Sequence, residues 1–395
     1  MRTTLNMLDL REHFLDREGG SLATLDQNFS SAIAKSDGWH NHAIFLYHAT
    51  KNAVAKELYG RNTAAAGDVI RSHIREWTDK ALKLRGVPEP WIIPQTLTAF
   101  RMLQVRPPKS YVALCQKAAA GGLRRYKTTD VLAWFSAAAD LTLQYDDKFL
   151  QGICARAVQL APEMRGAELY NLGHMMAIMD AVEEARGARK PFLGQAFSNI
   201  FSNPKVKAEV ERCKSREEPQ KLADAKFWFA RESHNRPPDY TEQDSVLQYK
   251  VGEEFKAAGA RPIRRRTLRD TGHQLDLSFQ FNGCNFDVEV DGPVHFVRST
   301  DGHIITLDGT SVFQTLLIRE KDRERKIVRL PYTVYDDHAG KPAVWRNLCD
   351  QIHSAAAGAF MVASDGTLSS DLLVKCQISD HSAALDAAYR KVTPP

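Results

Sequence analysis

The sequence predicts an α+β chain in two parts. An all-α region spans residues 1–232, a short linker spans 233–242, and an α/β module spans 243–353. Three observations carry this reading. Before residue 232, Ala, Leu, Lys and Glu dominate, and apolar residues recur at three- and four-residue spacing, the period of an amphipathic helix. The segment SHNRPPDYTE, Ser233 to Glu242, then places Pro237 and Pro238 in succession, which no helix continues through. Beyond it, apolar and polar residues alternate around an Asn-Gly pair, the pattern of a β-hairpin. Residues 354–395 are weakly patterned and read as a C-terminal extension.

Within the all-α region the clearest helix is DVLAWFSAAADL, Asp130 to Leu141, preceded by the capping residues Thr128 and Thr129. Leu132, Trp134, Phe135, Ala138 and Ala139 make its apolar side. A second segment, Ala167 to Val182, resembles the first at an offset that aligns Leu132 with Leu169, and Gln95 to Leu103 reads as a degenerate third copy. Self-similarity of this kind points to stacked helix-turn-helix units; an irregular bundle is the alternative. His40, His42 and His48 lack an accompanying carboxylate or cysteine and read as structural. Trp134, Met175, Met176 and Met179 read as core. Asn171 and His174 are candidate RNA readers of such repeats, and nothing in the sequence separates them from ordinary surface residues.

The module opens with a helix over Thr241 to Ala258, with Thr241 as its N-cap and Gly259 as its stop. Strands follow over Ile263–Leu268, Leu275–Phe281 and Asn285–Val290, then a helix over Val312–Arg325 and a strand over Lys326–Pro331. In LDLSFQFNGCNFDVEVDG, a two-residue turn at Asn282-Gly283 pairs Phe281 with Cys284, Phe279 with Phe286, Leu277 with Val288 and Asp276 with Glu289. Alternation then puts Leu275, Leu277, Phe279, Phe286, Val288 and Val290 on one face. Asp276, Ser278, Asp287, Glu289 and Asp291 take the other. Asp276 opposite Glu289 is a like-charge pair, which destabilises a sheet unless a cation, a basic neighbour or a shared proton compensates. Asp276, Glu289 and Asp291 are candidate ligands for Mg²⁺ or Mn²⁺, hard cations that favour oxygen. The alternative is the wet face of an amphipathic hairpin.

FDVEVDGPVHF, the Leu307–Thr310 turn, the helix after it and IVRLPY together resemble the RAP domain. SVLQYKVGEEFKAAGA resembles the helix that opens that domain, and the likeness covers roughly Ser245 to Ile352. The resemblance implies a restriction-endonuclease-like fold of the PD-(D/E)XK group, close to its very-short-patch-repair-like branch. It also implies a preceding array of octotricopeptide-like helical repeats, and RNA as the partner. By position, Asp276 matches the aspartate of the first nuclease element and Glu289 the acidic residue of the second. Leu275 stands in place of the proline and Asp291 in place of the lysine that orients water and stabilises developing charge. Catalytic candidates are therefore Asp276, Glu289, Asp291 and, as general acid or base, His295. Arg319 or Lys321 is expected to supply the missing positive charge.

RPIRRRTLR leads into the hairpin with Arg261, Arg264, Arg265, Arg266 and Arg269 and no acid. It is a candidate phosphate-binding strip, or else a charged strand edge. Across all 395 residues the net charge is only +5, so a nucleic-acid reading rests on where the charge sits. No Walker A, dinucleotide-binding or G-x-S-x-G pattern supports an NTPase, dehydrogenase or serine hydrolase. The six cysteines form no C-x-x-C pair, which favours reduced thiols in a cytoplasm-like compartment. The first twenty residues read as neither a secretory signal nor a mitochondrial presequence, and no stretch is apolar enough to span a bilayer. The expected function is RNA binding with metal-dependent ribonuclease-like activity in RNA processing. Two alternatives stand beside it: a non-catalytic RAP factor of ribosome assembly, and a bacterial effector secreted into a host cell through the Gly19–Gly38 leader.

Overall fold

The computed structural model of the chain describes residues 22–36, 38–54, 63–213, 218–231, 245–263 and 275–373. These fall into two compact units. The first takes the described residues within 1–175, 191–213 and 297–302, and the second takes the rest. Fifteen α-helices and a C-terminal mixed sheet make the chain broadly α+β among the described residues. No helix there is long and apolar enough to cross a membrane.

The first unit is helical. Its helices are α1 (Leu22–Lys35), α2 (Trp39–Val54), α3 (Thr63–Lys83), α4 (Ile93–Met102), α5 (Lys109–Ala120), α6 (Thr128–Asp140) and α7 (Asp147–Leu160). The first turns of α8 (Gly166–Ala185) follow, then α9 (Pro191–Ser202) and α10 (Pro204–Arg212). α4 packs against both α2 and α6, and α7 against α9. Sequence chemistry sets several helix starts: Pro94 opens α4, and the Asp146 carboxylate caps α7 by accepting from the Lys148 and Phe149 amides. Trp134 and the three methionines are buried, as expected of core residues. Leu169 is buried while Leu132 is half-buried, so the two aligned leucines sit in different surroundings.

Aromatic rings fill this interior. Trp77 is fully buried, its ring centroid 5.7 Å from Phe100 and 5.9 Å from Tyr111. His42 lies stacked on Trp77 at 4.3 Å, and the two residues exchange hydrogen bonds. The Trp77 indole donates to the His42 carbonyl at 3.2 Å, and His42 Nε2 lies 2.8 Å from the Trp77 carbonyl. His42 Nδ1 lies 2.7 Å from the Ser36 hydroxyl. The sequence reading of His42 as structural agrees with these contacts.

The second unit carries the sheet. Its helices are the rest of α8, then α11 (Glu218–Ala230), α12 (Val246–Ala257), α13 (Gly309–Lys321), α14 (Tyr332–His338) and α15 (Pro342–Ser354). The strands are β1 (Arg261–Pro262), β2 (Leu277–Phe281), β3 (Cys284–Asp291), β4 (Phe296–Arg298), β5 (Ile304–Leu307), β6 (Lys326–Pro331), β7 (Gly358–Val362) and β8 (Leu368–Ser369). Six of them form one sheet in the order β1-β2-β3-β6-β7-β8. β1, β2 and β3 are antiparallel, β3, β6 and β7 run parallel, and β8 returns antiparallel. β7 and β8 follow residue 353, where the sequence pattern ends the module, and they join the same sheet.

The hairpin register is the expected one: Phe281 pairs with Cys284, Phe279 with Phe286 and Leu277 with Val288. Asn282 and Gly283 have φ of 49° and 81°, the positive values that the two-residue turn demands. α12 begins later than the expected Thr241, which lies outside the described residues along with the whole predicted linker. Its cap is Ser245, whose hydroxyl accepts from the Gln248 amide at 3.1 Å while the Gln248 side chain accepts from the Ser245 amide at 2.7 Å. Phe255 of α12 then packs on Phe279, Phe286 and Trp345, burying the apolar face of the hairpin. Leu275 departs from that face and clusters with Ile318 and Ile327.

Burial lowers the pKa of His42 to about 4 from an ordinary 6.5, so the folded first unit holds it neutral. The unfolded chain binds the proton more readily between those values, so stability drops as pH falls from 6.5 toward 4. Wild-type protein is expected to lose about 2.4 kcal/mol more than His42→Gln between pH 7 and pH 4.5. Urea denaturation of both proteins at the two pH values measures it.

Candidate functional site

β3 is a central strand, paired on both edges, and its side chains from Phe286 to Asp291 are all buried. The acidic side of the hairpin is therefore an interior surface, contrary to the alternative of a wet face. Each carboxylate on it has a defined partner. Asp287 accepts from the Ser278 hydroxyl and pairs with Arg325, which also reaches Asp322 at 3.0 Å. This group is a closed ion pair and takes no part in the site.

Asp276, Glu289 and Asp291 lie close enough to act on one another's charge. The Asp276 amide donates to Glu289 Oε1 at 3.3 Å, and Asp276 Oδ2 accepts from the Val290 amide at 2.8 Å. The Asp276 carboxylate thus serves the β3 backbone where the β2 ladder has ended. What the sequence did not predict is Arg329 of β6, only 2% exposed. In the parallel register Arg329 lies beside Glu289, and its guanidinium reaches two residues along to grip both oxygens of Asp291. The Nε–Oδ2 distance is 2.7 Å, and a further guanidinium nitrogen donates to the Thr315 hydroxyl of α13 at 3.1 Å.

The electrostatics follow from this packing. Burial raises the pKa of Glu289 well above the usual carboxylate range, and the neighbouring Asp276 charge raises it further against the pull of Arg329. Burial also raises Asp276, while the Val290 amide, the Gln248 side chain and Arg329 work in the opposite direction. Desolvation alone would lower Arg329, but Asp291, Glu289 and Asp276 outweigh it and hold the guanidinium charged. One arginine therefore faces three carboxylates, and the Asp276–Glu289 pair holds protons more tightly than exposed carboxylates do.

His295 stands in a short turn, Pro293–His295, after β3. Its Nδ1 lies 3.1 Å from the Ser311 hydroxyl, and its carbonyl accepts from the Asp308 amide at 2.8 Å. Asp308 caps α13 by accepting from the Ser311 amide at 2.7 Å. Burial raises the Asp308 pKa, and the Ser311 hydrogen bonds, His295 and Arg329 oppose that rise. The start of α13 thus fixes His295 beside Asp308 and Ser311.

The basic candidates separate. Arg261 is exposed on β1, opposite Gln280. Arg264, Arg265, Arg266 and Arg269 lie outside the described residues. Arg319 is exposed, and the Lys321 ammonium sits 4.5 Å from the centroid of Phe227. The positive charge expected of Arg319 or Lys321 comes instead from Arg329. Its signal was present in KIVRLP, where one charge interrupts an apolar run and calls for a buried partner. Naming the partner required knowing that β6 lies beside β3.

Both Asp291 oxygens are held by Arg329, so Asp291 does not fit the role of a metal ligand. Among the described residues no set of three His, Cys, Asp or Glu side chains is arranged to hold a metal ion. Asp276 and Glu289 remain a two-carboxylate set of the kind Mg²⁺ or Mn²⁺ accepts when water and phosphate oxygens complete the shell. The sequence matches no protein-family model and no curated protein.

Arg329→Met leaves Asp291 buried and unpaired and is expected to destabilise the second unit by about 3–5 kcal/mol. Adding Asp291→Leu to it is expected to recover most of that loss, as a double-mutant cycle in urea measures. Glu289→Gln removes a group whose folded pKa is raised. Such a group supports folding below the unfolded value near 4.5 and loses that contribution as pH rises through its folded value. Glu289→Gln is therefore expected to be more stable than wild type at pH 7.5, by roughly 1 kcal/mol, and to lose that advantage at pH 4.

Proposed function

We propose that this is an RNA-binding protein whose C-terminal unit is a RAP-like domain of restriction-endonuclease type, acting on phosphodiester bonds at Asp276 and Glu289. The observation that carries the reading is the buried Asp276–Glu289 pair. Two adjacent carboxylates held in the interior, one with a strongly raised pKa, weaken the fold. Such groups cluster where chemistry requires them. The resemblance of VEVDG-x-x-H and its flanks, and the helical unit before it, support RNA as the partner. The packing of α4 between α2 and α6 supports a repeat-like arrangement there.

In this reading Asp276 and Glu289 hold a divalent cation, which supplies Lewis-acid activation of phosphate and water when bound. The pair must give up bound protons to do so, and cleavage therefore rises with pH. Arg329 holds both Asp291 oxygens out of the way and lends positive potential to the site. His295 is held through Nδ1 by Ser311, and Nε2 has no partner among the described residues. It is suited to give a proton to the leaving oxygen as water forms the new P–O bond and the old one breaks.

Purified protein with Mn²⁺ or Mg²⁺ is expected to cleave single-stranded RNA. Glu289→Gln should reduce the rate at least 100-fold, and His295→Ala about 10²-fold or more. Absence of cleavage of any RNA or DNA by the wild type removes the catalytic half of the proposal. A second reading then stands on a specific observation: Asp291, bound to Arg329, occupies the position of the catalytic lysine. A RAP-like domain that binds RNA without cutting it fits that exchange. RNA affinity unchanged in a variant lacking Asp276, Glu289 and Asp291 would support it.

A further inference from the structure

Large exposed hydrophobic side chains are few among the described residues, and Trp91, at 45% exposure, is the bulkiest. It occupies the turn just before α4. The exposed imidazole of His40, in the first turn of α2, meets it edge to face at 5.2 Å. The indole is therefore held in a fixed orientation while much of its surface stays open to solvent. Its neighbour Pro90 anchors the turn that precedes α6. The Pro90 carbonyl accepts from the Tyr126 hydroxyl at 2.9 Å. A Cβ at Gly122 would lie 2.8 Å from the Pro90 ring, so Gly122 packs directly on that proline.

Between Gly122 and Tyr126 the short helix Leu123–Arg125 carries Arg124 and Arg125, both exposed. Neither arginine has an ion-pair partner among the described residues. The turn is fastened from its other side, since Arg156 donates twice to the Tyr126 carbonyl, at 3.0 and 2.7 Å. The acid of the Trp91 turn is Glu89, which is exposed and likewise without an ion pair there. The other nearby acid, Asp130, accepts from the Lys127 amide at 2.9 Å. The patch combines a presented indole with two uncompensated guanidiniums on a braced turn.

We propose that this patch is a binding site for single-stranded nucleic acid, with Trp91 stacking on an unpaired base and Arg124 and Arg125 pairing with adjacent phosphates. Aromatic stacking is tolerant of base identity, and guanidinium pairs phosphate oxygens with two donors. A duplex hides the base faces that the indole needs, so the site selects single strands. The proposal does not depend on the carboxylate site, because the patch lies within the first unit.

The test is fluorescence anisotropy of the full chain with a labelled single-stranded RNA 20-mer, without divalent cation, over a series of salt concentrations. Trp91→Ala is expected to weaken binding about tenfold or more, and Trp91→Phe less than Trp91→Ala. Arg124→Ala with Arg125→Ala should lower the salt slope by about one to two. Leaving out divalent cation removes any contribution of a metal held by Asp276 and Glu289, which keeps failure here distinct from failure of the carboxylate site. Unchanged RNA affinity and salt slope in the Trp91 and arginine variants, with wild-type thermal midpoints, would overturn the proposal. Equal loss on duplex RNA would also overturn it. So would binding to vesicles of anionic lipid that the variants lose while RNA binding persists.

Discussion

The Asp291–Arg329 ion pair is the constraint on which the second unit depends. It joins β3 to β6 across the parallel pairing and reaches Thr315 on α13, so one guanidinium ties two strands and a helix. A charge so deep in the interior is tolerated only with its partners in place. The pair therefore couples strand order to helix placement: β6 in another position would strand a buried arginine on one side and a buried aspartate on the other.

That same arginine sets the chemistry of its neighbours. It offsets part of the repulsion between Asp276 and Glu289 but is already committed to Asp291, so it neutralises neither. The result is a carboxylate pair in an intermediate condition, less costly than two bare charges and still short of one positive charge. That deficit makes the pair hold protons more tightly than exposed carboxylates do. A cation is the natural competitor for the same place, which is the physical link between the fold and the proposed activity.

The first unit is organised on other terms. Rings fill its interior, and even its buried histidine, stacked on Trp77, is held neutral by burial rather than used as a charge. Its uncompensated charge sits outside, on turns such as Leu123–Arg125. Interior and surface thus differ: apolar and aromatic burial fixes the helices, and exposed charge lies on the turns.

The sequence by itself determined the hairpin. Asn282-Gly283 leaves the backbone one economical turn, and strict alternation then fixes the register and brings Asp276 to Glu289. It also determined that a like-charge pair there required compensation, and that helices precede a mixed α/β module. It could not determine which group compensates. Alternation predicts a face as polar or apolar from local residues alone, but whether that face is wet depends on what covers it. Here α13 and β6, which begin 18 and 35 residues beyond Asp291, cover the acidic side and turn an expected surface into an interior. Arg329 became the partner of Asp291 only through that long-range parallel pairing. Local sequence carries no record of such pairing, because the hydrogen bonds that make it lie between strands distant in the chain.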